Sequence, residues 1–347
     1  MNSVKKAESD NSFAYKIFAV YIIVYEHYSR LLWIYQFIIL LRSPNVKQSR
    51  LTNHFSYVKI NKKYLEKIMK ALIITLSVLA AVLLLLSLVY LYLIMPSLKR
   101  KKQIMKFASH KYAHRGLHGE GVAENSLTAF RLAVDGGYGI ELDVRLSKDG
   151  ELVVFHDDTL DRVTEASGRV DAYDYAELSK IKLSGTEDTL PLFSEVLSLV
   201  DGKVPLLIEL KEDAGKYGVT EKTLEILEGY KGEYIIESFN PLALGRVKKK
   251  KPGILRGILS MNYMAEEKYR KPMYYALQIF LTNVVCRPDF IAFDHKQYKK
   301  FAFRLCRFLF RVTTFAWTVR SPEEEALAYK HKFNSVIFEN YTHGENE

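Results

Sequence analysis

The chain has 347 residues, with 50 Lys or Arg and 40 Asp or Glu, for a formal charge of +10. The excess is local: residues 1–110 carry 17 basic and 4 acidic side chains, while 111–347 carry 33 and 36, so the basicity belongs to the apolar N-terminal region and points to a membrane surface rather than nucleic acid. Two cysteines, Cys286 and Cys306, have no metal-ligand spacing; they exclude a disulfide framework and are compatible with a reducing compartment.

In chain order, Ile17–Tyr25 and Leu31–Leu41 are apolar but separated by Glu26, His27 and Arg30. Neither half spans a bilayer alone; an interfacial helix and a second membrane pass both fit. Residues 71–95 then run for 25 positions without a charge, where roughly 20 suffice to cross. A soluble helix of that length keeps a polar stripe, and a signal peptide has an apolar run of only about 7–15 residues. A transmembrane helix is expected, ended by Pro96 and a basic linker, 96–110, that opens with Lys99, Arg100, Lys101 and Lys102. That cluster favours a cytoplasmic C-terminal side at the cell membrane, although Lys59, Lys62, Lys63, Lys67 and Lys70 weaken the bias. Met69-Lys70 reads as a natural start, which would make residues 1–68 an upstream extension and strengthen the cytoplasmic orientation.

From about residue 110 short strands alternate with helices. Expected strands are 112–113, 140–144, 152–155, 204–210, 234–238, 254–259, 290–293, 313–317 and 336–338; expected helices include 126–134, 193–200, 220–227, 241–248 and 322–330. This alternation predicts parallel pairing with right-handed crossovers. Eight units close a (β/α) barrel, and one of the nine candidate strands is surplus. Residues 158–191 are polar and turn-rich, as in a small subdomain inserted over the barrel mouth. The Tyr-rich stretch 260–288 also breaks the alternation. Residues 301–311 are basic and apolar, which fits a helix packed on the sheet or a face touching the bilayer.

The chemistry-bearing residues lie at strand ends. Glu141 and Asp143 are two apart on one strand and share a face. Glu209 ends another strand. Three carboxylates at one rim repel, and a divalent cation relieves them; oxygen donors without cysteine favour Mg²⁺ or Ca²⁺. His114 and His156 each close a strand and suit a general acid and base. Arg115 and Lys211 can neutralise phosphate oxygens, or pair with the carboxylates. Gly116 frees the loop beside them, and Glu124-Asn125-Ser126 opens a helix whose N-terminus suits an anion.

The series His114-Arg115-Gly116, Ala123-Glu124-Asn125-Ser126, Glu141-Leu142-Asp143-Val144, Asp149 to Asp158 with His156-Asp157, Glu209-Leu210-Lys211 and Ser238-Phe239 resembles the glycerophosphodiester phosphodiesterase family over about 111–340. The resemblance implies a TIM barrel with an insertion after His156 and a divalent metal on Glu141, Asp143 and Glu209. It implies His114 and His156 as the acid/base pair, with Arg115, Lys211 and, from the late Trp-Thr-Val strand, Trp317 on the substrate. It implies cleavage of a small phosphodiester to sn-glycerol 3-phosphate and an alcohol. Ala123 and Ser126 stand for the usual Pro and Thr. Arg320 stands where Asn is common, and Phe338-Glu339-Asn340 replaces Thr-Asp-Tyr-Pro.

Two other functions compete. Lysophospholipase D-type cleavage of membrane lysolipids would be favoured by an apolar pocket from 260–288. A non-catalytic membrane-tethered module would be favoured by loss of a histidine or carboxylate, and none is lost.

Overall fold

A computed structural model describes residues 62–342 except 213, 214 and 216. The apolar segments Ile17–Tyr25 and Leu31–Leu41, and most of the proposed extension 1–68, lie outside the described residues. The chain divides into two units, residues 1–80 and 81–347, with the boundary inside the first helix. That helix, α1 (Lys62–Ile94), is rich in Leu, Ala and Lys, which favour helix, and stops where Pro96 removes a backbone donor. Its stretch Glu66–Ile94 is the one helix among the described residues long and apolar enough to cross a membrane.

The second unit alternates strand and helix. After α2 (Lys101–Phe107) come β1 (Tyr112–Ala113), α3 (Leu127–Asp135), β2 (Gly139–Leu146), β3 (Leu152–Val154), α4 (Tyr175–Leu178), α5 (Phe193–Val200) and β4 (Leu206–Leu210). They are followed by α6 (Val219–Leu227), β5 (Tyr234–Ser238), α7 (Pro241–Lys250), β6 (Arg256–Ser260), α8 (Pro272–Gln278) and α9 (Asn283–Cys286). The last elements are β7 (Phe290–Asp294), α10 (Phe301–Phe310), β8 (Thr313–Val319), α11 (Pro322–Lys330) and β9 (Ser335–Phe338). Eight strands pair in parallel in the order β1-β9-β8-β7-β6-β5-β4-β2, and β1 pairs with β2 to close the barrel. The surplus strand is β3: it turns back antiparallel on β2 outside the ring, with Val144 opposite Val154.

The two-residue period of a strand sorts the barrel's side chains. Leu207, Ile235, Leu259, Phe290, Phe315 and Ile337 point inward and form one buried cluster with Tyr112. Their neighbours Ile208, Ile236, Ile258, Ile291, Ala316 and Val336 point outward into a second cluster shared with the helices. The same parity continues upward along each strand. It turns His114, Glu141, Asp143, Glu209, Glu237, Trp317 and Glu339 into the upper interior, above the apolar layers.

Residues 96–110 are more than a linker. Pro96 is buried, the Ser97 N–H donates to Pro288 O at 2.8 Å, and Arg100 Nε donates to the buried Asp289 at 2.9 Å. Ile104 and Phe107 of α2 then join the inner cluster, and Tyr112 OH donates to Phe107 O at 3.1 Å. The apolar spacing of Ile104 and Phe107 on a short basic helix closes the barrel base. Residues 158–191 pack Leu160, Val170, Leu178 and Leu183 into an apolar cluster shared with Val153 and Phe155 just before them. In α10, Ala302, Phe303 and Cys306 are buried while Phe301 and Phe308 are exposed.

Inside the barrel, Gly257 admits the Phe290 ring: a Cβ there would lie 2.1 Å from it, and Phe290 is itself held by Phe315 at 4.7 Å. Gly257→Ala should therefore destabilise by about 1–3 kcal/mol through overpacking. Gly119→Ala, with open space at its Cβ, should cost under about 0.5 kcal/mol, as an ordinary surface substitution does. Thermal unfolding of the two variants checks this; equal losses would remove the packing argument.

Candidate active site

Three carboxylates form the floor of the mouth. Glu141 and Asp143 come from β2 and Glu209 from β4, where Asp143 and Glu209 are paired in register. All three are buried, and one oxygen of each lies within 4.8 Å of the others. Burial, reinforced by Asp143, Glu209 and Glu237, holds Glu141 well above the usual carboxylate range. Burial also opposes ionisation of Asp143, but Lys211, His156 and Arg115 outweigh it and hold that group well below. Glu209 is raised by burial against the pull of Lys211. The donor set fits a hard divalent cation: three oxygens converge with no thiol among them, and two of the three carboxyls resist ionisation where they stand.

The surrounding donors order this floor. Lys211 Nζ lies 2.8 Å from Glu209 Oε1 and 3.1 Å from Asp143 Oδ1. Asn125 Nδ2 donates to Asp143 Oδ2 at 2.9 Å, and the Arg115 N–H donates to Glu141 Oε2 at 2.9 Å. Arg115 holds a positive φ of 57°, followed by Gly116 at 81°. A Cβ on Gly116 would meet that of Ala129 at 2.8 Å, so only glycine lets the loop lie this close to α3. The Arg115 guanidinium donates to Glu124 at 2.8 Å and lies 3.6 Å from Asp143. Both expected roles of Arg115 and Lys211 are thus geometrically open, with ion pairing the one seen. At the start of α3, Ser126 caps the helix by accepting from the Ala129 N–H, while Asn125 turns to the carboxylates.

The two histidines flank the floor. His114 follows β1, and its Nδ1 lies 2.5 Å from Glu339 Oε2; its Nε2 faces Glu141 at 4.0 Å. Burial lowers His114 to about 4 despite the bond to Glu339. Glu339 is pushed up by burial but drawn down to about 2 by His114 and Arg320 together. These two shifts pull differently on the one contact. Arg320 Nε, donating to the other oxygen of Glu339 at 2.7 Å, resolves it by keeping the carboxylate charged beside a neutral imidazole. Nδ1–H then donates to Glu339, and Nε2 presents its lone pair to the mouth. His156 follows β3. Its Nδ1 lies 2.5 Å from Asp157, and its carbonyl accepts from Arg145 at 2.7 and 2.9 Å.

Trp317 closes the opposite wall. It stacks edge-on to Phe239 at 5.6 Å, and Phe239 meets Tyr263 at 6.4 Å. Trp317 Nε1, Tyr263 OH and Glu237 Oε2 are buried with no hydrogen-bond partner among the described residues. All eight residues singled out in the sequence therefore converge on one rim. Glu237, Tyr263, Arg145 and Glu339 were not. Glu237 and Glu339 share the inward parity of Glu209 and His114 on neighbouring strands, a signal readable once those strands are aligned. Tyr263 opens a single 3₁₀ turn, Tyr263–Ala265, and carried none.

Three converging buried carboxylates flanked by two oriented histidines lie at the C-terminal face of a parallel barrel, the face on which such barrels carry their active sites. A sequence model of the glycerophosphoryl diester phosphodiesterase family matches residues 114–342, and the chain belongs to that family. It is thereby a phosphoric diester hydrolase. It is similar to a glycerophosphodiester phosphodiesterase of Caldanaerobacter subterraneus, 32% identical over 240 residues that cover 65% of this chain and 91% of that one. Among solved structures it resembles a Thermotoga maritima glycerophosphodiester phosphodiesterase, at 26% identity and a TM-score of 0.52 over 65% of this chain and 92% of that one. It shares the fold of an Oleispira antarctica phosphodiesterase solved with the product sn-glycerol-3-phosphate, at 22% identity and a TM-score of 0.56 over 67% of this chain and 94% of that one.

Two residues that depart from the family's pattern, Arg320 and Glu339, are bonded to each other. Glu339→Ala should free the His114 ring and lower turnover by about 10- to 100-fold, the usual cost of losing an orienting partner. Steady-state rates across pH would check it; an unchanged rate would leave Glu339 without a positioning role.

Proposed function

We propose that the enzyme hydrolyses glycerophosphodiesters to sn-glycerol 3-phosphate and an alcohol, with a divalent cation, Mg²⁺ or Ca²⁺, held by Glu141, Asp143 and Glu209. The convergence of those three buried oxygens carries the reading. A bound cation would polarise a phosphoryl oxygen and offset the charge that builds on it. Arg115 and Lys211, both beside the floor, bind the remaining phosphate oxygens, Arg115 through its fork and Lys211 as a point charge. Trp317 bounds the substrate on the far wall.

The proton transfers fall to the histidines. His114, neutral and fixed through Nδ1 by Glu339, accepts a proton at Nε2 from the attacking water. His156, held through Nδ1 by Asp157, gives one from Nε2 to the departing alcohol oxygen. The water oxygen forms one P–O bond as the bond to the alcohol breaks, and the proton gained by His114 and the proton lost by His156 are then exchanged with solvent, which restores both rings.

The same proposal places the enzyme at the cell membrane. Its parts are the N-terminal extension 1–68, a transmembrane helix over 71–95, and a catalytic region over 111–340 with 158–191 inserted, on the cytoplasmic side. The length and apolarity of Glu66–Ile94 support the anchor, and the cations at 99–102 support the orientation.

Release of glycerol 3-phosphate from a panel of glycerophosphodiesters tests the reading. EDTA should abolish it and Mg²⁺ or Ca²⁺ restore it; full activity in EDTA would end the metal assignment. His114→Ala and His156→Ala should each cost about 10²-fold or more in kcat with unfolding unchanged. Near-native rates in both would make the rings structural.

A further inference from the structure

Residues 90–100, which belong to the same unit as the barrel, run past the β6–β7 connection through contacts that keep step with it. Tyr90 OH donates to Ile279 O at 3.4 Å, and Asn283 Nδ2 donates to Ile94 O at 2.8 Å. Arg287 Nη1 donates to Tyr92 O at 2.7 Å and to Met95 O at 2.8 Å. Further along, Ser97 meets Pro288 and Arg100 meets Asp289. The β6–β7 connection leaves the mouth and returns to the base. Residues 90–100 descend beside it, so residues 90 back to 81 rise toward the mouth, by about 14 Å at the 1.5 Å rise of a helix. Residues 81–89 are all exposed.

On the mouth side of Ile279 lies α8, whose last turn ends in the bond from the Ile279 N–H to Tyr275 O. Met273 and Tyr275 of α8 are 54% and 52% exposed, and Arg270 and Lys271 just before them are exposed as well. Of the nearby acids, Glu266 is paired with Lys268 at 2.9 Å, and Glu267 is exposed. Tyr90 and Tyr92, with the Arg287 guanidinium 4.5 Å over the Tyr92 ring, end the apolar run. Tyrosine and arginine at that position are the side chains of a membrane–water interface. That level is one turn below the apolar face of α8.

We infer that α8 rests in the interface of the leaflet from which α1 emerges, and that the barrel mouth opens toward that leaflet. Continuity with the apolar helix, together with the Met273/Tyr275 face flanked by Arg270 and Lys271, selects a lipid surface as its occupant. The enzyme then takes phosphodiesters presented at the bilayer without their diffusing around the barrel. This rests on the reading of α1 as a membrane anchor.

The full chain carrying Met273→Cys, or Phe308→Cys near the base end of α10, is labelled with bimane and reconstituted in phosphatidylcholine/phosphatidylglycerol vesicles containing nitroxide lipid. Cys286 and Cys306 are buried and stay unlabelled. Flotation with the vesicles is scored first: a chain that fails to float overturns the anchor itself. For a floating chain, quenching at 273 should exceed that at 308 by about twofold or more, because an interfacial helix buries its apolar face about 5–10 Å into the headgroup boundary. Quenching at 273 equal to or weaker than that at 308 would overturn the orientation while leaving the anchor standing.

Discussion

Everything at the mouth answers to one electrostatic conflict. Three carboxylates converge within 4.8 Å above an apolar barrel interior. At an effective dielectric of about 20, two unit charges about 4 Å apart repel by about 4 kcal/mol. The fold does not avoid this. Strand parity forces it, because the alternation that buries Leu207 and Ile235 also turns Glu209 and Glu237 inward one step higher. The local donors relieve only part: Lys211 reaches two of the three carboxylates, Asn125 one, and the Arg115 N–H the third. The protein's remaining response is to keep Glu141 and Glu209 hard to ionise. A site held this way is primed for a cation, and strain of this kind concentrates where chemistry is done.

The same conflict organises the next layer out. Glu124 draws Arg115 and Arg162 to itself, the latter at 2.6 Å, and Arg162 in turn holds Asp157, which holds His156. On the other side Arg320 holds Glu339, which holds His114. Each histidine therefore has an anion on Nδ1 backed by an arginine. The two rings meet the carboxylate floor with a defined tautomer instead of competing to pair with it.

Much of this was legible in the sequence because it depends on short-range pattern. Eight barrel strands, the ends of most helices, and seven of the eight candidate residues followed from apolar runs, the two-residue period and motif spacing; Trp317 came from the family resemblance. Nine strands were counted because a hairpin such as 152–154 has the same apolar signature as a parallel strand; only pairing direction separates them. The role of residues 96–110 was missed because plugging a barrel base takes just two apolar side chains, Ile104 and Phe107, on a helix whose other residues are mostly cations. Arg320 and Glu339 each read as a departure when taken singly. Their bond spans 19 positions and closes only when β8 and β9 pair.

The central claim is that Glu141, Asp143 and Glu209 together hold a divalent cation, and calorimetric titration of the chelator-stripped protein with Mg²⁺ and Ca²⁺ tests it most directly. One ion should bind per chain, with protons released as the raised carboxyls ionise, and Glu209→Gln should weaken binding by about tenfold or more, since a ligand is lost along with its charge. No binding of either ion, or the same affinity in Glu209→Gln, would contradict the account.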